Sequence, residues 1–179
     1  SGRILTVGYN RRFSPLAQKL AKVFAKRTGP LTMQYRVNAG PLPAESWIKD
    51  PAVGGGRIIG EACHIVDLCA YLADARPVRV YAERSGSRED DVTMVIRFGD
   101  GSVATIAYVA SGDPAYPKER LEVMGEGVVA TLDDFRSLEV AKGKRARHTS
   151  MLQDKGHEAE VAAFVAAVRS GGAPPIAYD

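Results

Sequence analysis

The stretch 54–68, G-G-G-R-I-I-G-E-A-C-H-I-V-D-L, places Glu61, His64 and Asp67 at successive steps of three. On a helix, residues three apart are neighbours. The row therefore reads carboxylate, imidazole, carboxylate. An unperturbed histidine titrates at about pH 6.5. A flanking carboxylate can raise that value and fix the ring tautomer. Such a device can carry a proton to or from a hydroxyl or carbonyl group. Ile65, Leu68, Cys69 and Leu72 form an apolar stripe alongside. The polar row slants away from it, so the spacing places Glu61 nearest the core and Asp67 nearest solvent. A solvated helix face or a satisfied buried imidazole would have the same spacing. Glu-x-x-His also recurs in carboxylate metal sites, which need further ligands. Only His148 and His157 remain, one in a basic run and one at a helix start. No metal is assigned.

The elements that must hold this row follow from periodicity. Residues 3–9 (R-I-L-T-V-G-Y) read as a strand. Ser14-Pro15 opens a helix with Leu16, Leu20, Val23 and Phe24 at helical spacing, the serine capping its first amides and Gly29-Pro30 ending it. Residues 31–37 alternate as a strand. Residues 38–56 read as a loop, with three prolines, the single tryptophan Trp47 and the closing glycines. A short helix covers 61–72. Residues 78–83 form a strand. Residues 92–98 and 103–110 make a hairpin about Gly99-Asp100-Gly101. A second hairpin pairs 121–124 with 128–132, and 138–141 adds an edge strand. A last helix carries Val161, Phe164, Val165 and Val168 and stops at Gly171-Gly172. The expected fold is α+β: an open, largely antiparallel β-sheet with helices on one face. Strands and helices do not alternate throughout, and no G-x-G-x-x-G follows the first strand. A Rossmann domain is therefore not expected here.

Composition narrows the classes. The chain has 179 residues, 45% apolar and 25% charged, which suits one domain with a sizeable core. No apolar run approaches the roughly 20 residues of a membrane helix, so no membrane partner is expected. A formal net charge of +3 is too small to argue for nucleic acid. The densest basic stretch, Lys142 to His148, lacks interleaved aromatics and reads as a solvated loop at a turn or strand end. Cys63 and Cys69, six apart on one helix, lie too far apart for a disulfide. There is no second cysteine pair for zinc. Two free thiols and no signal-peptide pattern lead to an expected cytoplasmic location.

Three segments in order resemble the glucose–fructose oxidoreductase, inositol dehydrogenase and MocA-like (Gfo/Idh/MocA) family. These are Tyr9-Asn10-Arg11-Arg12-Phe13-Ser14-Pro15, the run from Gly55-Gly56 to His64 and Asp67, and the closing Ala163-Phe164, Ser170-Gly171-Gly172 and Pro174-Pro175-Ile176. The resemblance spans nearly the whole chain. It implies that residues 1–179 are a single C-terminal substrate-binding and catalytic domain, with an N-terminal nucleotide-binding domain missing and the isolated chain inactive. It implies hydride transfer between a sugar or polyol carbon and NAD or NADP, the cofactor being bound by the missing domain with no cofactor-binding residue here. His64 would be the general acid–base. Glu61 would orient it, relay its proton, or replace the family's aspartate, whose position falls on Gly60; the family glycine two before the histidine falls on Ala62. The lysine of the family's E-K-P motif has no counterpart. Arg11 and Arg12 fall near where the family's two domains meet, and each either touches substrate or forms a surface salt bridge. In the loop before the glycines a sugar could stack on Trp47 or bond Lys49, or Trp47 simply packs the loop. Asp67 either contacts substrate, caps, or pairs with Arg57. Arg36 and Asn38, two apart on one strand face, could line a sheet-side pocket. A homodimer or higher homo-oligomer through the sheet face is also implied. The alternative is a non-catalytic dimerisation or ligand-binding module.

Overall fold

The alternation along each strand sets which face it buries. In the computed structural model, which describes residues 3–43, 45–50, 52–86 and 90–177, Met33, Tyr35 and Val37 of β1 (Thr32–Asn38) face the core. So do Met94, Ile96 and Phe98 of β3 (Val92–Phe98), Ala104, Ile106 and Tyr108 of β4 (Val103–Val109), and Leu121 and Val123 of β5 (Glu119–Gly125). The residues between them point to the other, uncovered face. β2 (Pro77–Arg84), β6 (Val128–Asp133), β7 (Ser137–Lys142) and β8 (Lys144–Thr149) complete one eight-stranded open sheet in the order β2-β3-β4-β1-β5-β6-β7-β8. Only the β1–β4 pair is parallel; every other neighbour is antiparallel.

α1 (Pro15–Phe24) and α2 (Cys63–Ala73) cover the apolar face. Leu16, Leu20 and Phe24 of α1 and Ile65, Leu68, Cys69 and Leu72 of α2 join the strand residues in one core. Val23 lies off the α1 stripe and stays partly exposed. α3 (His157–Ser170) stands apart: it packs against a 3-10 turn at Asn10–Phe13 and buries none of its residues fully.

Several expectations change. Residues 3–9 are not a strand. The segment curls back on itself, Tyr9 N donating to Val7 O at 2.8 Å and Asn10 N to Gly8 O at 3.0 Å. It also runs past Glu160 of α3 rather than along a sheet edge, so it has no ladder partner. Ser14 does not cap α1. Its Oγ donates to the Asp154 carbonyl at 2.7 Å, and Asn10 Nδ2 donates to the Lys155 carbonyl at 2.8 Å. Both ties fasten the start of α1 to the start of α3. Gly156, at φ +88°, sits where any side chain would collide with the Asn10 carbonyl and Ser14 N. The basic run 142–148 is not a loop. It turns at Gly143 and returns as β8, which makes β8 rather than β7 the edge, with Arg145 3.6 Å from Glu139 across the ladder. Charged edge strands resist pairing with other chains.

The segment entering α2 is a π-helical turn at Ile58–Ala62, with Gly60 N bonded to Gly56 O at 2.9 Å. Such turns concentrate at functional sites. Gly54 packs so tightly under residues 47–48 that a Cβ would lie 2.6 Å from the Trp47 carbonyl oxygen.

Candidate functional site

The π turn and the first turns of α2 present Glu61, His64 and Asp67, but not with the expected slant. Asp67 is the buried one, 8% exposed, and Glu61 is half-buried. Asp67 pairs with Arg12, not Arg57: Arg12 Nε and Nη2 donate to its two oxygens at 2.9 and 2.5 Å, and the guanidinium lies 5.2 Å from the centre of the Tyr71 ring. Burial outweighs this pairing and raises the Asp67 pKa above its usual value.

Arg57 serves Glu61 instead, donating at 3.0 and 3.2 Å, while its other hydrogens go to the Gly40 carbonyl at 2.5 Å and the Ala39 carbonyl at 3.5 Å. Tyr108 Oη donates to Glu61 at 2.7 Å, and Lys118 Nζ stands 3.9 Å away. Burial pushes the Glu61 carboxyl up. The hydrogen bonds from Arg57 and Tyr108, with the charges of Arg57 and Lys118, outweigh it and hold the carboxyl below its ordinary value. Among the described residues, the hydrogen bonds of Glu61 run to these groups and not to His64.

His64 is half-buried, and its ring meets Tyr9 edge-on at 5.6 Å and 81°. Its Nδ1 is buried and has no hydrogen-bond partner. Burial lowers its pKa, the charges of Arg11 and His157 act in the same sense, and Glu119 and Glu61 only partly oppose them. The expectation that flanking carboxylates raise this pKa is therefore reversed. The lowered pKa favours the neutral imidazole, in which one ring nitrogen can accept a proton.

A third carboxylate near the histidine, Glu119, was not singled out from the sequence. Glu119 is 1% exposed and receives Arg11 through two hydrogen bonds of 3.0 Å, Tyr35 Oη at 2.7 Å and Lys155 Nζ at 2.6 Å. Burial pushes its carboxyl up, but Arg11 and Lys155 bring it down to about 2. One signal was available. Glu119 continues the inward parity of Leu121 and Val123, where an acid requires cations; starting that strand at 121 hid it. Tyr108 and Tyr35 likewise sit on inward strand positions. Arg11 and Arg12 are thus each held by a carboxylate.

Trp47 lies in a 3-10 turn at Trp47–Lys49 with its indole exposed, and Lys49 Nζ donates to the Leu42 carbonyl at 3.1 Å. Arg36 and Asn38 do line one cavity of about 230 Å³ with Gly112 and Tyr116, and the Arg36 guanidinium lies 4.8 Å from the centre of the Tyr116 ring. The glycines before α2 do not fit a pyrophosphate. The amides of Gly54 and Gly55 donate to the Asp50 carbonyl and that of Gly56 to the Ile48 carbonyl, which leaves none for a phosphate. Among the described residues no three His, Cys, Asp or Glu side chains converge as metal ligands, and no helix is long and apolar enough to cross a membrane.

A family model described as the GFO/IDH/MocA C-terminal domain matches residues 27–130. Inositol 2-dehydrogenase of Paracoccus denitrificans (strain Pd 1222) is 25% identical over 190 residues, covering 99% of this chain and 55% of that protein. An oxidoreductase domain protein from Kribbella flavida superposes with a TM-score of 0.79 at 17% identity, over 97% of this chain and 59% of its own. Aldose-aldose oxidoreductase from Caulobacter crescentus, complexed with glycerol, gives 0.76 at 22% over 98% and 56%. Levoglucosan dehydrogenase in complex with NADH and L-sorbose gives 0.73 at 20% over 97% and 58%. The chain spans little more than half the length of each of these proteins.

Proposed function

This chain belongs to the GFO/IDH/MocA C-terminal domain family, and from that premise we propose that it is the substrate-binding and proton-handling domain of an oxidoreductase acting on a sugar or polyol. Oxidising a secondary alcohol removes a hydride, which NAD or NADP takes up when bound, and a proton. The proton is this chain's share. His64 is the catalytic acid–base. The observation that carries the reading is its half-buried ring, whose buried Nδ1 has no partner, and burial favours its neutral form. A base of that kind takes the proton of a hydroxyl held within hydrogen-bond reach and returns it to a carbonyl in the reverse direction.

Glu61 does not hold the ring. It sets the local charge and, with Arg57, anchors the π turn. Asp67 with Arg12, and Glu119 with Arg11, position the same helix start from the other side. Trp47 and Lys49 lie in the loop leading to the π turn and border the substrate. The glycine amides are used internally, so the dinucleotide belongs to a separate N-terminal nucleotide-binding domain. Two uncovered apolar surfaces support further contacts. Val161, Val165 and Val168, exposed along α3, form one that suits the second domain. The open sheet face, with Val95 and Val129 exposed, suits a homodimer. The free thiols Cys63 and Cys69 suit a reducing cytoplasm.

The test uses the full-length protein with its cofactor. His64→Ala and His64→Gln should lower kcat by about 10²–10⁴-fold while sugar binding measured by calorimetry persists. Unchanged turnover would sink the assignment and leave the non-catalytic dimerisation module as the better account.

A further inference from the structure

Beside the Asp67–Arg12 pair, charge near the π turn and α2 is organised around two further carboxylates, each facing two cations and one tyrosine hydroxyl. Glu119 faces Arg11, Lys155 and Tyr35. Glu61 faces Arg57, Lys118 and Tyr108. Each group therefore carries one surplus positive charge, but the two surpluses differ in availability. Lys155 bonds Glu119 at 2.6 Å and is 17% exposed, so its charge is sealed in. Lys118 stands 3.9 Å from Glu61 and is 42% exposed. At that distance the attraction is Coulombic only, and among the described residues nothing accepts a hydrogen bond from its ammonium. Glu61 already accepts three shorter bonds from Arg57 and Tyr108, so it has no need of Lys118.

The backbone of Lys118 is nevertheless fixed. Its N–H donates to Asp134 Oδ2 at 3.2 Å, and its carbonyl accepts from Asn38 N at 2.7 Å. An ammonium with three uncommitted donors, carried on a backbone held in place, is available to an acceptor that arrives from outside. Arg57 cannot serve, because it is 3% exposed and its guanidinium is turned to Glu61 and two carbonyls. Glu61 lies one turn before His64 on the same helical run, which puts this ammonium at the Glu61 end of that run.

We infer that Lys118 is a specificity-determining residue that receives an anionic group of the substrate, a carboxylate or a phosphate ester, while His64 handles the reacting hydroxyl. The inference rests on the oxidoreductase reading and adds the substrate class to it: an acidic sugar rather than a neutral one.

The experiment compares full-length protein and its Lys118→Met and Lys118→Arg variants on D-glucuronate, D-glucose 6-phosphate, D-glucose and myo-inositol, by steady-state kinetics with NAD and NADP and by calorimetric binding of the same four compounds. The wild type should prefer one acidic sugar over its neutral counterpart by at least about tenfold in kcat/KM. Lys118→Met should raise KM for that sugar on the order of 10- to 100-fold, the loss expected for one charge-assisted hydrogen bond, with a much smaller change in kcat. Lys118→Arg should recover most of the affinity, which a merely structural lysine would not require. Whether glucuronate or glucose 6-phosphate carries the preference tells carboxylate from phosphate. Turnover that depends on His64 but favours the neutral sugars, or acidic-sugar affinity indifferent to Lys118→Met, would overturn the inference and leave the oxidoreductase reading standing. If no compound turns over, that reading fails, and calorimetry still decides Lys118 by whether the variant loses binding of the acidic compounds.

Discussion

The Glu119 and Glu61 groups use the same parts, a carboxylate, an arginine, a lysine and a tyrosine hydroxyl, at two depths. Glu119 is sealed, and every partner lies within hydrogen-bond distance. Glu61 is 24% exposed and one of its cations is loose. The deep group joins parts far apart in sequence: the turn at 10–13, β1, the start of β5 and the lead into α3. The shallow group joins the π turn to β4 and the end of the 110–118 segment. The first is built to hold elements together, whereas the second leaves a charge available to solvent. Removing one partner of a buried charge strands the other, while an exposed pair contributes little.

That contrast is most sharply broken by Glu119→Gln, which should destabilise the domain by about 3–5 kcal/mol in urea unfolding. The pH dependence has a definite sign. A carboxyl held down to about 2 contributes stability that is complete above the usual carboxylate range and lost as pH falls toward 2. The wild type should lose about 3 kcal/mol across that window, and Glu119→Gln should flatten the acid limb. A steep limb persisting in the variant would place the titration elsewhere. Next in size are the tyrosines: Tyr35→Phe should cost about 1–2 kcal/mol and Tyr108→Phe about 1 kcal/mol or less, and the reverse order by thermal unfolding would invert the assignment of depth. Smallest is Lys118→Met, expected within about 0.5 kcal/mol of the wild type. A larger loss would show that its charge is structural.

Much of the fold was legible because its determinants are local. The parity of Met33, Tyr35 and Val37, the turns at 99–101 and 125–127, and the stripe of α2 each follow from neighbours in sequence. Residues 3–9 have strand composition, yet whether a strand forms depends on a ladder partner, and that is a tertiary fact. β8 was hidden for the opposite reason: an edge strand exposed on both faces needs no apolar alternation, so its basic residues look like a loop. At the site, spacing correctly brought Glu61, His64 and Asp67 together on one helical run. It could not foresee the π turn, which breaks the regular rotation on which the slant was based, nor partners that arrive from Tyr108, Lys118 and Glu119 on distant strands. The glycines were legible only as the close of a loop; that their amides bond the Ile48 and Asp50 carbonyls follows from the folded geometry.

The position of β1 has a consequence for synthesis. It is a central strand, yet its two neighbours are β4, which starts at Val103, and β5, which starts at Glu119. A ribosome adding about 5–20 residues per second completes β1 several seconds before either flank exists. Met33, Tyr35 and Val37 must spend that interval without a ladder. The β3–β4 hairpin, made of adjacent segments, closes first and offers β1 its parallel edge. The antiparallel half can be added only once β5 emerges. Nascent chains halted before Glu119 should therefore be sensitive to protease, and full resistance should be gained in one late step.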